Sequence, residues 1–206
     1  MVRAVIDARK ECTEDVVEEA ARVIFSGGTL VFPDETGYLL ACDLYRGKAV
    51  AAIYAAAGKE PQMRVAVCVA STAEFIELTK ENLLAVLAVK RVLPAPVMLI
   101  VRRPSFFSEE QTSGRLTVGF RVPEDPFAHA ILERCGPLIA GGIEYRGDGN
   151  VADLPDTDLL VERGPISPSL EVTIVDLTGD RARLLHEGAV PYDRLATGLG
   201  AVDAKR

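Results

Sequence analysis

The chain has 206 residues, is 49% hydrophobic, contains no tryptophan and carries a formal net charge of −7. That length fits a single domain spanning 1–206, with its core from about residue 13 to 192, built mainly of Val, Leu, Ile and Ala. The acidic balance argues against polyphosphate or nucleic-acid binding over the whole surface, no apolar run approaches the roughly 20 residues of a membrane span, and MVRAVIDARKECTED has no signal-peptide core, so a cytoplasmic protein is expected.

Thr13 can cap a helix starting at Glu14, in which Val16, Val17, Ala20, Ala21, Val23 and Ile24 recur at helical spacing until Gly27 closes it. The apolar run Leu30 to Phe32 predicts a strand over 29–33 that Pro33 ends. A polar loop follows with Asp34, Glu35, Thr36 and Tyr38, at a strand end, where open α/β sheets bind ligands. Residues 46–57 read as a second helix through Val50, Ala51, Ile53, Tyr54 and Ala57. RVAVCVA, Arg64 to Ala70, predicts a buried strand; Ser71 or Thr72 then caps a helical region running to about 91. Another strand is expected at Pro96 to Val101.

RPSFFSEEQTSGR, 103–115, has no periodicity and reads as a loop whose Phe106 and Phe107 either tuck beneath it or cover a ligand. LTVGFRV, 116–122, predicts a strand ended by Pro123, and Pro126 to Cys135 a helix. Pro137 to Ala140 is a short apolar run leading into Gly141-Gly142, and 144–169 form loops around one short strand near 158–162. Glu171 to Asp176 and Arg181 to His186 read as strands joined by the turn Thr178-Gly179-Asp180; the tail after Gly198 reads as frayed. Helices and strands alternate early and strands dominate late, which predicts α/β with an open, mixed, twisted sheet and flanking helices. Neither a G-x-G-x-x-G turn nor a P-loop occurs.

Cys12, Cys42, Cys68 and Cys135 form no C-x-x-C pair, so neither a zinc site nor a disulfide framework is expected. Cys42 and Cys68 read as small core residues; Cys135 is open to a core or a reactive role. Arg121 stands between Phe120 and Val122, where an unpaired guanidinium is costly, so it needs an anion: a ligand carboxylate or phosphate, or an Asp or Glu of the chain. Tyr38 either stacks on a base or packs at the sheet edge. Asp34, Glu35 and Glu144 could cluster around Mg²⁺, select a cationic ligand, or simply be solvated; Asp34 and Glu35 are the metal candidates.

The loop PDETGYLL, 33–40, resembles the opening motif of the YrdC/YciO family, P-T-(D/E)-T-x-Y-G-L. The likeness continues in order from about Gly27 to Pro191 through IYAAAGKEPQMRVAV, LPAPVMLIV, TVGFRVPEDP, GPLIAGGIEYRG, VTIVDLTGD and LLHEGAVP. It implies a YrdC-like fold with a large concave, positively lined ligand face. It also implies an ATP-dependent nucleotidyltransferase, using Mg²⁺, that joins threonine, bicarbonate and ATP into threonylcarbamoyl-AMP for a tRNA modification. Some relatives are regarded as double-stranded RNA binders.

Residue by residue, the resemblance implies a site containing Thr36, Tyr38, Lys59, Arg121, Gly141, Gly142, Glu144 and Thr173, with Arg64, five residues past Lys59, as a cation that could compensate for the one missing at Ala57. Arg121 would hold an amino-acid carboxylate, Lys59 and Arg64 phosphates, and Thr36, Gly141 and Gly142 would line the pocket. Ala57 stands where the family has a lysine, His186 where it has an arginine, and Gly142 and Glu144 where it has serine and asparagine. The expectation is a divergent synthase-like protein with a degenerate phosphate site. The alternative is a non-catalytic nucleotide- or double-stranded-RNA-binding module on the same fold. The expected partner is a nucleotide, an amino acid or another small anion, with RNA left open and no membrane.

Overall fold

A computed structural model describes residues 1–9, 13–59, 64–167, 169–191, 193–195 and 202–204. Helix α1 (Glu14–Phe25) starts after an extended Thr13, with Glu14 and Asp15 at its positive end, and buries Val16, Ala20, Ala21 and Ile24. It leads into β2 (Thr29–Asp34), which follows β1 (Val2–Asp7) in the chain. β2 continues one residue past Pro33, where the sequence suggested it would stop. The missing N–H is tolerated because β8 (Thr157–Glu162) pairs only with Leu30 and Val31 of β2.

The expected loop at 34–38 is instead a tight hairpin. Asp34 pairs with Gly37, the turn is Glu35-Thr36, and Gly37 has a φ of 129° that favours glycine. Strand β3 (Gly37–Asp43) follows, buried from Tyr38 to Cys42 on both faces. A strand covered on both sides shows no period-two alternation, which hid it in the sequence. β1 was hidden for the opposite reason: it is an edge strand, largely exposed.

Helix α2 (Gly47–Lys59) leads to β4 (Val65–Cys68). The helical region expected from 72 to about 91 is two helices, α3 (Thr72–Thr79) and α4 (Leu83–Val92). Asn82 causes the break: its side-chain oxygen caps Ala85 N and its amide donates to Leu177 O. Then come β5 (Val97–Arg102), the single turn α5 (Glu109–Thr112), β6 (Thr117–Arg121), α6 (Pro126–Cys135) and β7 (Leu138–Ile143). After β8, β9 (Thr173–Asp176) and β10 (Ala182–His186) pair antiparallel. Of the tail read as frayed, 196–201 and 205–206 lie outside the described residues. Residues 202–204 form β11 (Val202–Ala204), parallel to β10.

The strands make one mixed sheet in the order β1-β8-β2-β3-β7-β4-β6-β5-β9-β10-β11. One face buries Val31, Leu40, Val67, Phe120, Leu99 and Val175 among residues of α2, α3 and α4. On the other face α1 and α6 pack over β2 and β8, burying Leu30, Phe32, Leu39, Ala41 and Ala140. Farther along that face lies a small apolar floor of Ala66, Met98 and Ile174, edged by half-buried Ile100, Val172 and Leu185. Among the described residues no helix is long and apolar enough to cross a membrane.

Candidate functional site

The hairpin turn brings two consecutive carboxylates against one guanidinium. Arg121 lies on β6 beside Cys68, with its side chain 4% exposed. Its Nη2 is 2.9 Å from Asp34 Oδ2, 3.4 Å from Glu35 Oε1 and 3.4 Å from Thr36 Oγ1. Asp34 Oδ1 accepts from the Thr36 amide and hydroxyl at 2.7 and 2.6 Å. The Asp34–Arg121 contact is close but not aligned as a hydrogen bond, and Asp34 Oδ2 and Arg121 Nε are left without one. Burial works against the Arg121 charge, yet Asp34 and Glu35 outweigh it and raise its pKa. Burial, then Asp34, pushes the Glu35 carboxyl above its ordinary value, with Arg121 pulling the other way. Glu35 Oε2 also accepts from Asp125 N at 3.2 Å. The anion that Arg121 needs is therefore internal, and the cluster ties the hairpin tip to β6 and the start of α6.

Tyr38 is 1% exposed and packs edge-on against Tyr145, ring centres 4.7 Å apart. Its hydroxyl lies 2.9 Å from Glu162 Oε1 and 2.8 Å from Gly164 O, and accepts from Arg163 N at 3.0 Å. The Tyr145 hydroxyl donates to the other oxygen of Glu162, and burial pushes that phenol up to about 12. Glu162 is a buried carboxylate that the sequence reading passed over; a charged residue closing the apolar run DLLVE was its only signal. The Thr173 hydroxyl is used within the fold as well, donating to Val190 O and accepting from Gly188 N and Val190 N at 2.9 to 3.1 Å. Gly141 sits inside β7 between Leu40 and Val65.

Two cavities collect the remaining candidates. The larger, about 1120 Å³, is lined by Thr36, Gly142, Glu144, Arg146, Asp148 and Asp153 among others. Gly142 has open space where a Cβ would stand. The smaller, about 420 Å³, lies over the apolar floor, with Tyr54, Ala57, Arg64, Arg115 and His186 around Met98, Gly119 and Ile174. Among the described residues no carboxylate lines it, whereas the cavities of about 1120, 660 and 310 Å³ each include Asp or Glu. The Arg115 guanidinium carbon is 4.2 Å from the centre of the Tyr54 ring. His186 Nε2 lies 2.7 Å from Glu171 Oε1. Lys59 closes α2, and its side chain lies outside the described residues. Arg115 escaped the sequence reading because it ends a segment without periodicity.

Among the described residues no group of three or more His, Cys, Asp or Glu is placed to hold a metal. Asp34 and Glu35 face Arg121, while Glu144 lines the larger cavity. Burial pushes the thiols of Cys42 and Cys68 up to about 12 and that of Cys135 to about 11, so none is an activated nucleophile. Cys12 lies outside the described residues. Phe107 is buried under its loop against Phe120, and Phe106 is half exposed.

The Sua5/yciO/yrdC family model, described as telomere recombination, matches residues 22–188. A Mycobacterium tuberculosis (strain CDC 1551 / Oshkosh) protein, named provisionally as a threonylcarbamoyl-AMP synthase, is 28% identical over 91% of this chain and 90% of its own. Among solved structures, Pyrococcus abyssi Sua5 complexed with L-threonine superposes with a TM-score of 0.79 at 23% identity, covering 100% of this chain. This chain spans 62% of that Sua5 chain's length. Escherichia coli YciO superposes with a TM-score of 0.77 at 20% identity, covering 95% of this chain and 98% of its own. These two likenesses give the fold: an open twisted mixed sheet with flanking helices.

Proposed function

The chain belongs to the Sua5/YciO/YrdC family, and on that premise we propose that it binds a phosphate-bearing nucleotide on the open floor of its sheet and acts as a weak threonylcarbamoyl-AMP synthase. The observation that carries this reading is the acid-free cavity: in a chain of net charge −7, Arg64 and Arg115 face a space that no carboxylate lines among the described residues. Negative charge shifts on ATP phosphates during adenylate formation, and fixed cations are what a protein contributes there. The apolar floor of Met98, Ile100 and Ile174 suits a base or ribose face. Mg²⁺ would arrive bound to the ATP phosphates, which suits described residues that form no metal cluster of their own.

The activity is weak for two reasons. Ala57 lines the cavity without a charge, and Glu144 places a carboxylate in the neighbouring one. Arg121 is already held by Asp34 and Glu35, so an amino-acid carboxylate would have to compete for it. That same internal pairing favours a second reading, a nucleotide-binding module without turnover. The net charge argues against RNA as a sequence-independent ligand.

Purified protein given ATP, Mg²⁺, bicarbonate and threonine should release pyrophosphate in a threonine-dependent way, more slowly than a full synthase assayed beside it. The double change Gly142→Ser with Glu144→Asn should raise that rate. ATP-dependent stabilisation without pyrophosphate would establish the non-catalytic reading instead. Absence of both binding and turnover would refute the two together.

A further inference from the structure

We infer that Arg115 is the residue that grips the terminal phosphates of the ligand, with Tyr54 as its positioning residue; this rests on the nucleotide reading above. The local chain explains how Arg115 reaches the site. Ser108 caps α5 through a reciprocal pair of hydrogen bonds with Gln111. At the far end Ser113 and Gly114 take positive φ values of 49° and 75°, and Arg115 N donates to Thr112 O at 3.1 Å. Two successive left-handed residues reverse the chain and deliver the guanidinium onto Tyr54, which α2 holds 8% exposed.

The charge of Arg115 meets the Tyr54 ring rather than an acid. Arginines elsewhere, such as Arg9, Arg22, Arg134 and Arg183, lie against carboxylates. Among the described residues Arg115 and Arg64 have no carboxylate partner, and none of those residues lining their shared cavity is a carboxylate. A guanidinium seated over an aromatic ring gains cation–π attraction and loses side-chain freedom before a ligand arrives. Its N–H fork stays available, and that fork matches two phosphate oxygens. The ligand class is thus one with a di- or triphosphate end, recognised more strongly than a lone carboxylate.

The test measures binding of ATP and of inorganic tripolyphosphate to the full chain by calorimetry. Arg115→Ala should weaken both by about tenfold, the usual worth of a charge-assisted hydrogen bond. Arg115→Lys should recover only part, since an ammonium has no fork. Tyr54→Phe keeps the ring and should bind like wild type, whereas Tyr54→Leu should lose affinity. Ala57→Lys, placing an ammonium on another wall of the same cavity, should restore tripolyphosphate binding to Arg115→Ala. Arg91→Ala, exposed on α4, serves as the control and should change nothing. Unchanged affinity in Arg115→Ala, with wild type binding both ligands, overturns the role of Arg115 while leaving the nucleotide reading intact. Failure of wild type to bind either ligand overturns both.

Discussion

The two cavities share one sheet and differ in charge. The larger, beside the hairpin tip, is lined by Glu144, Asp148 and Asp153 against a single Arg146. The smaller, over Met98 and Ile174, has Arg64, Arg115 and His186 and, among the described residues, no acid. Near the first, Arg121 is consumed by Asp34 and Glu35; in the second, Arg64 and Arg115 have no carboxylate partner among the described residues, and only His186 meets one, Glu171. A buried charge that is already paired holds a fold together, while an exposed, preorganised and unpaired one is available to a ligand. The difference separates an arginine committed to the fold from arginines left without a carboxylate.

The largest effect is expected from Arg121→Ala. It leaves Asp34 and Glu35 together in a buried place without their counter-charge, and should cost about 3–5 kcal/mol in urea unfolding. A loss below about 1 kcal/mol, the range of exposed pairs, would remove the structural role given to the cluster. Next is Thr173→Val, which leaves Gly188 N and Val190 N without their acceptor and should cost about 1–3 kcal/mol. Its ATP affinity should stay at the wild-type level; a loss would make Thr173 a ligand residue after all.

A smaller effect comes from pH. Folding raises the Glu35 pKa, so above the ordinary carboxylate range the native state still holds a proton that the unfolded chain has released. Stability from this group therefore falls as pH rises from the ordinary value through the raised one, and is level above it. Glu35→Gln should lack that fall when urea midpoints are followed from about pH 4 to 8. A fall of the same size in the variant would assign it to another group. Smallest of all, Glu144→Gln should leave stability within about 0.5 kcal/mol, since the residue is exposed.

Much of the fold could be read from the sequence because it rests on local signals. α1 has its acidic first turn and a stripe of Val16, Ala20 and Ile24, and α6 has Asp125 and Pro126 at its start. β3 and β1 were missed because one is buried on both faces and the other is an exposed edge. Arg121 was legible as a residue in need of an anion, but its partner was not. Asp34 is 87 positions away, on β2, and only the sheet order brings the two together. Tyr38 and Thr173 matched the family motif, yet their hydroxyls are spent on Glu162 and on the 188–190 loop. Arg115 carried no signal at all, since its meaning depends on Tyr54, across the chain on α2.

Backbone amide resonances followed while ATP is titrated in distinguish the two cavities. Binding at the acid-free cavity predicts shifts gathered at Arg64, Val65, Arg115, Gly119 and Leu185, with Gly142, Glu144 and Asp148 still. Shifts confined to Gly142, Glu144, Arg146 and Asp148, with Arg64 and Arg115 still, would contradict it and move the nucleotide to the acidic cavity.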